Sequence, residues 1–246
     1  MKRQILFAVN FKVGASTLIR SIPNSSGLVP PNEVAGIKYV NLSKPDKLKK
    51  YGLTHINIQQ DDALKSHERY FKFMFVRNPY TRLLSAFRDK FRNKDVPPAY
   101  KPWYNKTVSD IIKKYRTESG ATLNSKLTHT VITFEEFLKV VIDDNKILNS
   151  ERHWTPLSSL SMPCVVNYTF IGKFETFTDD YRYLMSRIAV VKVPESRAHS
   201  SPGDATSNVF KQYWREIPQA IAQQISDLYS RDFEMFGYKK DLTYYL

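Results

Sequence analysis

The 246-residue sequence contains very little cysteine and no long apolar segment. Its single cysteine, Cys164, cannot form an internal disulfide or a zinc site built from cysteines, which excludes a disulfide-stapled scaffold and a zinc finger. No run approaches the roughly 18 to 20 uninterrupted apolar residues of a membrane span, and the apolar core of the start, MKRQILFAVNFKVG, is too short for a signal peptide. These absences predict a soluble chain with neither a leader nor a membrane anchor in the sequence given.

Acidic residues are also scarce, because 24 Asp and Glu stand against 37 Lys and Arg and leave a formal net charge of +13. A hydrophobic fraction of 42%, with 13% aromatic residues, is ample for a packed core and excludes disorder as the main state. We find no internal repeat, so the sequence predicts one domain over residues 1–246. The charge surplus predicts an anionic partner, which can be nucleic acid, a phosphorylated cofactor, an acidic lipid or an acidic polysaccharide.

Short apolar strings alternate with segments of helical periodicity along the chain. Strands are predicted at residues 5–9, 70–76 and 168–174, and the second of these, YFKFMFV, has the nearly continuous apolar pattern of a central strand covered on both faces. Helices are predicted at residues 16–21, 43–51, 81–92, 108–116, 133–142, 178–188, 209–214 and 218–236. The alternation predicts an α/β fold, in which a parallel sheet carries helices on both faces.

The first strand runs through the string FKVGAST into a helix. Such a turn exposes backbone N–H groups at a helix N-terminus, where the helix dipole also favours an anion. Gly14 and Ala15 leave room for a phosphate, Lys12 adds a positive charge, and Ser16 and Thr17 add hydroxyl donors. The string differs from a Walker P-loop, in which the lysine follows the glycines. It predicts a phosphate site, although a single glycine fits an ordinary strand-to-helix turn equally well.

The segment FVRNPYTRLLSAF predicts a second anion site. Arg77 leaves the end of a buried strand, where its guanidinium can grip a phosphate with two hydrogen bonds. Arg82 and Ser85 are three residues apart on the following helix and therefore share a face. The alternative is a solvated basic helix that is packed through its leucines.

Both segments carry a resemblance to a known family. Residues 12–17 resemble the 5′-phosphosulfate loop of sulfotransferases, and residues 77–87 resemble their 3′-phosphate motif, R-x-P-x-x-R-x-x-S-A-[FY]. The similarity is to the Golgi carbohydrate sulfotransferases of the HNK-1, chondroitin and dermatan 4-O type. It extends to the segments H-W-x-P at 153–156, P-C at 163–164, Y-x-F-I-G-K-F-E at 168–175 and Y-x-x-D-F-x-x-F-G-Y at 229–238.

The resemblance implies a three-layer, P-loop-like α/β fold with a mostly parallel central sheet. It implies 3′-phosphoadenylyl sulfate (PAPS) as the donor, with no metal, and a carbohydrate acceptor. By carry-over, the 5′-phosphosulfate would be cradled by Lys12, Val13, Gly14, Ala15, Ser16 and Thr17. Arg77 and Ser85 would hold the 3′-phosphate, and Arg82, in the same motif, would also bind the donor.

The resemblance also bears on the acceptor and the compartment. It favours the 4-O position of N-acetylgalactosamine in chondroitin or dermatan, within a glycosaminoglycan or a glycoprotein glycan, and the Golgi lumen as the place. The expected partner is then an anionic polysaccharide and not a nucleic acid. Contact with a membrane would need an anchor that we do not find in this sequence. Weak support for a lumenal protein comes from four glycosylation sequons, at Asn24, Asn41, Asn105 and Asn167.

Three positions depart from the family pattern. Phe11 stands where the family usually has proline, and Ala15 stands where it often has cysteine. Ser161 replaces the first cysteine before the P-C pair, which leaves Cys164 without its usual neighbour and puts a disulfide there in doubt.

Sulfuryl transfer requires stabilisation of charge on the leaving phosphate and removal of the acceptor proton. Lys12 is the candidate for the first role. We favour His153 as the base, because an imidazole suits proton transfer near neutral pH and this histidine lies in the H-W-x-P segment. His67 is the main alternative, and Glu175 is a further one.

Two other classes of function remain open from the residues alone. A nucleotide-dependent phosphotransferase would need magnesium ligands, for which we find no convincing strand-end Asp. A non-enzymatic binder of polyanions such as heparin would rely on basic residues that are usually only solvated, namely Lys47, Lys49, Lys50, Lys113, Lys114 and Arg116.

Overall fold

A computed structural model describes residues 4–25, 65, 67–92, 98, 101–116, 132–146, 151–188 and 204–246. The helix predicted at 43–51 lies outside these residues. The chain separates into two compact units. The first unit contains Met1–Arg77 and Leu157–Ser201, and the second contains Asn78–Pro156 and Pro202–Leu246.

The first unit contains a three-stranded parallel sheet. Its strands are β1 (Ile5–Phe7), β2 (Phe71–Val76) and β3 (Phe170–Lys173), in the spatial order β1-β2-β3. Residue Phe73 of β2 aligns with Phe7 on one side and with Phe170 on the other. All but the first residue of β2 is buried, as expected for a strand paired on both edges. The predicted parallel pairing and the central position of β2 are therefore confirmed.

Ten helices are described, and they account for most of the remaining structure. In chain order they are α1 (Ala15–Ser25), α2 (Pro79–Phe91), α3 (Lys101–Tyr115), α4 (Phe134–Lys146), α5 (Leu157–Ser161), α6 (Pro163–Val166), α7 (Phe177–Ile188), α8 (Asp204–Arg215), α9 (Gln219–Leu228) and α10 (Ser230–Met235). A 3₁₀ turn, Leu242–Tyr245, follows. Within the parts of the chain given above, no helix combines the length and the apolarity needed to cross a bilayer.

Side-chain caps fix where two of the helices begin. The side chain of Asn78 accepts hydrogen bonds from the N–H groups of Tyr80 (2.9 Å) and Thr81 (3.3 Å), and Pro79 occupies the first turn of α2. At α4, the Thr133 hydroxyl accepts from the N–H of Glu136 (3.1 Å), whose carboxylate accepts from the N–H of Thr133 (2.6 Å). This reciprocal pair is the capping box that the sequence predicts.

The second unit is helical and has an aromatic core. Helix α4 packs against α2, α3 and α9, while α8 packs against α2. Tyr80 lies 5.0 Å from Trp214 and 4.9 Å from Phe233, measured between ring centroids. Phe137 similarly meets Trp154 edge to face at 5.3 Å. Such aromatic contacts add to the stabilisation that burial of the rings provides.

Candidate functional site

The turn between β1 and α1 has an unusual backbone. Lys12 and Gly14 both have positive φ angles, of 68° and 85°. The carbonyl of Gly14 then accepts from the N–H groups of Thr17 (3.0 Å) and Leu18 (3.2 Å), which starts the helix. A non-glycine residue in the left-handed region costs roughly 1–2 kcal/mol, and such strain often occurs at functional sites. Residues 12–14 therefore form a sharp turn that directs the chain to the N-terminus of α1.

Packing and backbone both require glycine at position 14. A Cβ atom placed there would overlap the ring of Phe177, the first residue of α7. The phenyl ring therefore packs directly on the turn. The sequence predicts that Gly14 gives room to a phosphate, and the structure adds that it gives room to a neighbouring side chain.

Arg77 joins the two segments that the sequence marks as anion sites. Its guanidinium Nη1 donates to the carbonyl of Lys12 at 3.2 Å. The guanidinium carbon also lies 4.2 Å from the ring centroid of Phe174, within cation–π range. A strand end and a turn that are 65 positions apart in the chain are thus in direct contact.

A buried polar network holds the chain just before this turn. Asn10 is buried, and its Nδ2 donates to the carbonyl of Phe75 (3.2 Å) while its Oδ1 accepts from the hydroxyl of Ser161 (2.8 Å). The carbonyl of Ser161 accepts from the Tyr168 hydroxyl (2.9 Å), and burial raises the pKa of that tyrosine to about 12. The serine that departs from the family pattern is therefore a fixed part of the first unit, whereas Cys164 is exposed and free.

In the second unit Arg82 is fully buried. Its guanidinium donates to the carbonyls of Thr155 (2.8 Å) and Arg152 (3.1 Å). Burial lowers its pKa, and the nearby negative charge of Asp232 offsets part of that effect. Arg82 contacts both ends of the segment that carries His153, so its geometry favours a structural role. Contact between Arg82 and a donor molecule stays a prediction.

Tyr229 supports the same segment from the C-terminal region. Its side chain is fully buried, and its hydroxyl donates to the carbonyl of Trp154. Burial is the main reason that its pKa is raised, which keeps the hydroxyl protonated. Three of the segments that carry the family resemblance therefore meet inside the second unit: the segments around Arg82, His153 and Tyr229.

His153 is paired with a carboxylate. Its Nδ1 lies 2.6 Å from Oε1 of Glu151, and its side chain is 14% exposed. The hydrogen bond from His153 is the main cause that holds the pKa of Glu151 below its usual range, although burial opposes it. A carboxylate on Nδ1 fixes the orientation of the ring and leaves Nε2 as the nitrogen that can take a proton. This arrangement suits general base catalysis.

The other predicted residues are placed as follows. Val13 is buried in the turn, Ala15 and Ser16 belong to the first turn of α1 with Thr17, and Ser85 is half-buried on α2. His67 lies in the turn before β2 with its ring 4.6 Å from that of Tyr70, and Glu175 is exposed after β3. The remaining histidines lie outside the described residues: His55, His129 and His199.

The structure brings Lys12 and Arg77 together in the first unit, and Arg82 and the His153 segment together in the second. The sequence did not single out Asn10 or Glu151. Glu151 has a local signal, because it precedes His153 by two residues and both lie in one turn. Asn10 has only the signal of a polar residue directly before a glycine-containing turn.

The profile of the sulfotransferase family matches residues 2–239 of this chain. The chain therefore belongs to the sulfotransferase family, and the mixed structure with a small parallel sheet is compatible with a sulfotransferase fold. No solved structure matches it.

The chain is similar to several curated carbohydrate sulfotransferases, which confirms the resemblance. Human carbohydrate sulfotransferase 9 is 36% identical over 173 residues, which are 69% of this chain and 38% of the relative. Zebrafish (Danio rerio) carbohydrate sulfotransferase 14 is 35% identical over 172 residues, 69% of this chain and 44% of the relative. Human carbohydrate sulfotransferase 8 is 28% identical over 246 residues, 97% of this chain and 54% of the relative. The chain thus spans about half the length of these relatives or less.

Proposed function

We propose that this protein transfers a sulfuryl group from PAPS to a hydroxyl of a carbohydrate. The observation that carries the proposal is the hydrogen bond from Arg77 to the carbonyl of Lys12, which joins two anion-binding segments in one unit. Membership of the sulfotransferase family and similarity to carbohydrate sulfotransferases support the same reaction. Residues 1–246 act as one catalytic domain in this proposal, with the three-layer fold of the family.

The turn at residues 12–17 fits the 5′-phosphosulfate of the donor. The N-terminus of the 11-residue helix α1 presents backbone N–H groups and the positive end of its dipole to an anion. The ammonium of Lys12 stabilises the charge that develops on the bridging oxygen as the S–O bond to the phosphate breaks. Arg77 has five N–H donors, so its bond to the Lys12 carbonyl is compatible with contact to the 3′-phosphate.

His153 serves as the base in this mechanism. The acceptor oxygen forms a bond to sulfur while its proton moves to Nε2 of His153, and the adenosine 3′,5′-bisphosphate leaves. Glu151 orients the ring and stabilises the imidazolium that forms. Arg82 acts as a positioning residue, because it binds the carbonyls of Arg152 and Thr155 on either side of the base.

The acceptor is a glycosaminoglycan or a glycoprotein glycan, and the 4-O hydroxyl of N-acetylgalactosamine in chondroitin or dermatan is favoured. The names of the relatives, carbohydrate sulfotransferases 8, 9 and 14, support a carbohydrate. The Golgi lumen is the proposed compartment. Two of the sequons, at Asn105 and Asn167, are exposed and so accessible to glycosylation there.

Replacement of Arg77 by alanine tests the donor site. Removal of a charged hydrogen-bond donor from a phosphate should weaken binding by about 10- to 100-fold. Isothermal titration of adenosine 3′,5′-bisphosphate and of adenosine 5′-monophosphate identifies the group that is held. If Arg77 binds the 3′-phosphate, Arg77→Ala abolishes the preference for the bisphosphate, whereas equal loss for both ligands means that Arg77 only orders the turn.

Arg182→Ala is the matched control, because Arg182 is exposed on α7 of the same unit and pairs with Asp179. Its donor affinity should equal that of the wild type. Unchanged affinity of Arg77→Ala for both nucleotides would refute the donor site.

Substitutions at the base give a second test. His153→Ala should lower kcat by about 10²- to 10⁴-fold, with the KM for PAPS nearly unchanged. Glu151→Gln keeps an acceptor for Nδ1 but removes the negative charge, so we expect about a tenfold loss in kcat and a shift of the acid limb of the rate profile to lower pH. His67→Ala is the control. If His67→Ala is inactive and His153→Ala is active, the base is His67.

A further inference from the structure

The second unit contains an open cleft beside the segment that carries His153. Its volume is about 300 Å³, and it lies between α3, α4 and residues 151–154. Phe91 and Trp154 form a buried aromatic base, whereas Trp103 is 41% exposed. The rings of Phe91 and Trp103 are 6.3 Å apart and tilted by 31°. An exposed indole on a fixed aromatic base offers a flat apolar surface to a ligand.

We propose that this cleft binds one uncharged pyranose ring of the acceptor, stacked on Trp103. This inference rests on the proposed function, which supplies the carbohydrate. A volume of about 300 Å³ is at the lower end of small-molecule sites and suits one or two sugar rings. The apolar face of a pyranose packs on an aromatic ring, and its hydroxyls donate to acceptors at the edge.

The charged side chains that line the cleft favour an uncharged sugar ring over an acidic one. Three carboxylates line the cleft, those of Asp110, Asp143 and Glu151, against the single ammonium of Lys114. Lys114 binds Asp143, and Lys106 binds Asp110 at 2.7 Å from outside the cleft lining, so an acidic sugar would have to compete with these carboxylates for both lysines. Carboxylates accept hydrogen bonds from sugar hydroxyls but repel a uronate or a sulfate. An N-acetylhexosamine therefore fits the cleft, and acidic neighbours in the same glycan stay outside it.

Glu151 connects the cleft to the proposed base. The same side chain lines the cleft and holds Nδ1 of His153 at 2.6 Å. A ring that hydrogen-bonds to Glu151 therefore contacts the carboxylate that orients the proposed base. In this proposal, binding of the sugar and orientation of the base share one carboxylate, while Trp103 and Asp110 contribute to the choice of the sugar ring.

The test measures binding of two monosaccharide probes by saturation-transfer NMR. The probes are methyl N-acetyl-β-galactosaminide and methyl β-glucuronide, with adenosine 3′,5′-bisphosphate titrated in parallel. We expect saturation of the neutral probe at millimolar concentration, at least a fivefold weaker response from the glucuronide, and loss of the neutral signal in Trp103→Ala. Trp103→Phe should retain it. Asp110→Asn should reduce the difference in saturation-transfer response between the neutral probe and the glucuronide.

Tyr244→Ala is the matched control, because Tyr244 is another exposed aromatic residue of the second unit, at 68% exposure. Equal sugar binding by Trp103→Ala and the wild type, or tighter binding of the glucuronide, would overturn the inference. If these results occur in a protein that still transfers labelled sulfate, the proposed reaction is supported and the proposal that the cleft binds the sugar is refuted. If the sugar binds in the cleft but PAPS is neither bound nor used, the proposed function is wrong.

Discussion

At the scale of single residues, Gly14 combines two constraints whose effects can be separated. Gly14→Ala places a Cβ against the ring of Phe177 and keeps a φ of 85° that costs an alanine roughly 1–2 kcal/mol. We expect a lower melting temperature and at least a tenfold weaker affinity for adenosine 3′,5′-bisphosphate. Thermal unfolding and calorimetry measure the two effects.

A double substitution and a second glycine serve as controls for Gly14. When Phe177→Leu is added to Gly14→Ala, the double variant should recover part of the lost stability. The smaller side chain removes the overlap with the new Cβ atom but leaves the backbone strain at position 14. Gly237 also has a positive φ, of 65°, but lies after α10 in the other unit. Gly237→Ala should lose stability and keep donor affinity. If Gly14→Ala matched the wild type in both measurements, the turn would not have the conformation described.

Which residues could be predicted depends on how far apart the partners are in the chain. The turn at Lys12 and the strand end at Arg77 each carry a local pattern, and the sequence singles out both. It cannot show that Arg77 contacts the Lys12 carbonyl, 65 positions away. The same applies to Ser161, whose partner Asn10 is 151 positions distant. Burial of Arg82 is also invisible locally, because an arginine on an amphipathic helix looks solvated until its carbonyl partners are known.

At the scale of elements, the cap of α4 makes stability depend on pH. Burial tends to raise the pKa of Glu136, but hydrogen bonds from Arg116 and Thr133 outweigh it and lower the pKa. A lowered folded pKa means that the carboxylate stabilises the fold above the unfolded value of about 4.3 and that this stability is lost as pH falls through the folded value. Glu136→Gln should therefore cost about 1 kcal/mol at pH 7 and progressively less as the pH falls below the unfolded value of about 4.3.

Unfolding in urea at pH 7 and near pH 3.5 measures this difference. Glu135→Gln is the control, because Glu135 is partly exposed and pairs with Lys139 one turn along α4. A surface pair of this kind contributes a few tenths of a kcal/mol, roughly. A cost for Glu136→Gln that stays constant over the pH range would mean that the carboxylate does not act in its charged form.

The elements with strong local signals are the ones that were predicted best. Strand β2 is apolar except for Lys72, and α4 has both a capping box and a periodic apolar face. Helix α3 begins at Lys101, seven residues before the predicted start. The prediction begins too late because only Val108, Ile111 and Ile112 are buried, so the apolar periodicity of the sequence starts with them. The region predicted as helical at 218–236 is divided at Tyr229, where the backbone leaves helical geometry (φ −99°, ψ 14°) and the ring is buried. That division follows from a tertiary contact.

At the scale of the whole molecule, the net charge of +13 predicts that the proposed reaction depends on salt. Positive potential attracts an acidic glycan over distances comparable to the Debye length, which falls from about 10 Å at 0.1 M salt to about 3 Å at 1 M. With saturating PAPS, the KM for a chondroitin polymer should rise roughly tenfold between 50 and 500 mM NaCl, while kcat changes little. A neutral N-acetylgalactosamine-terminated oligosaccharide should show almost no change in KM if, as proposed, the cleft of the second unit binds it, because this acceptor has no charge for the basic exterior to attract. A sulfate-transfer assay over a salt series with both acceptors measures the contrast. Equal salt dependence for the two acceptors would place the charge effect at the donor, which they share.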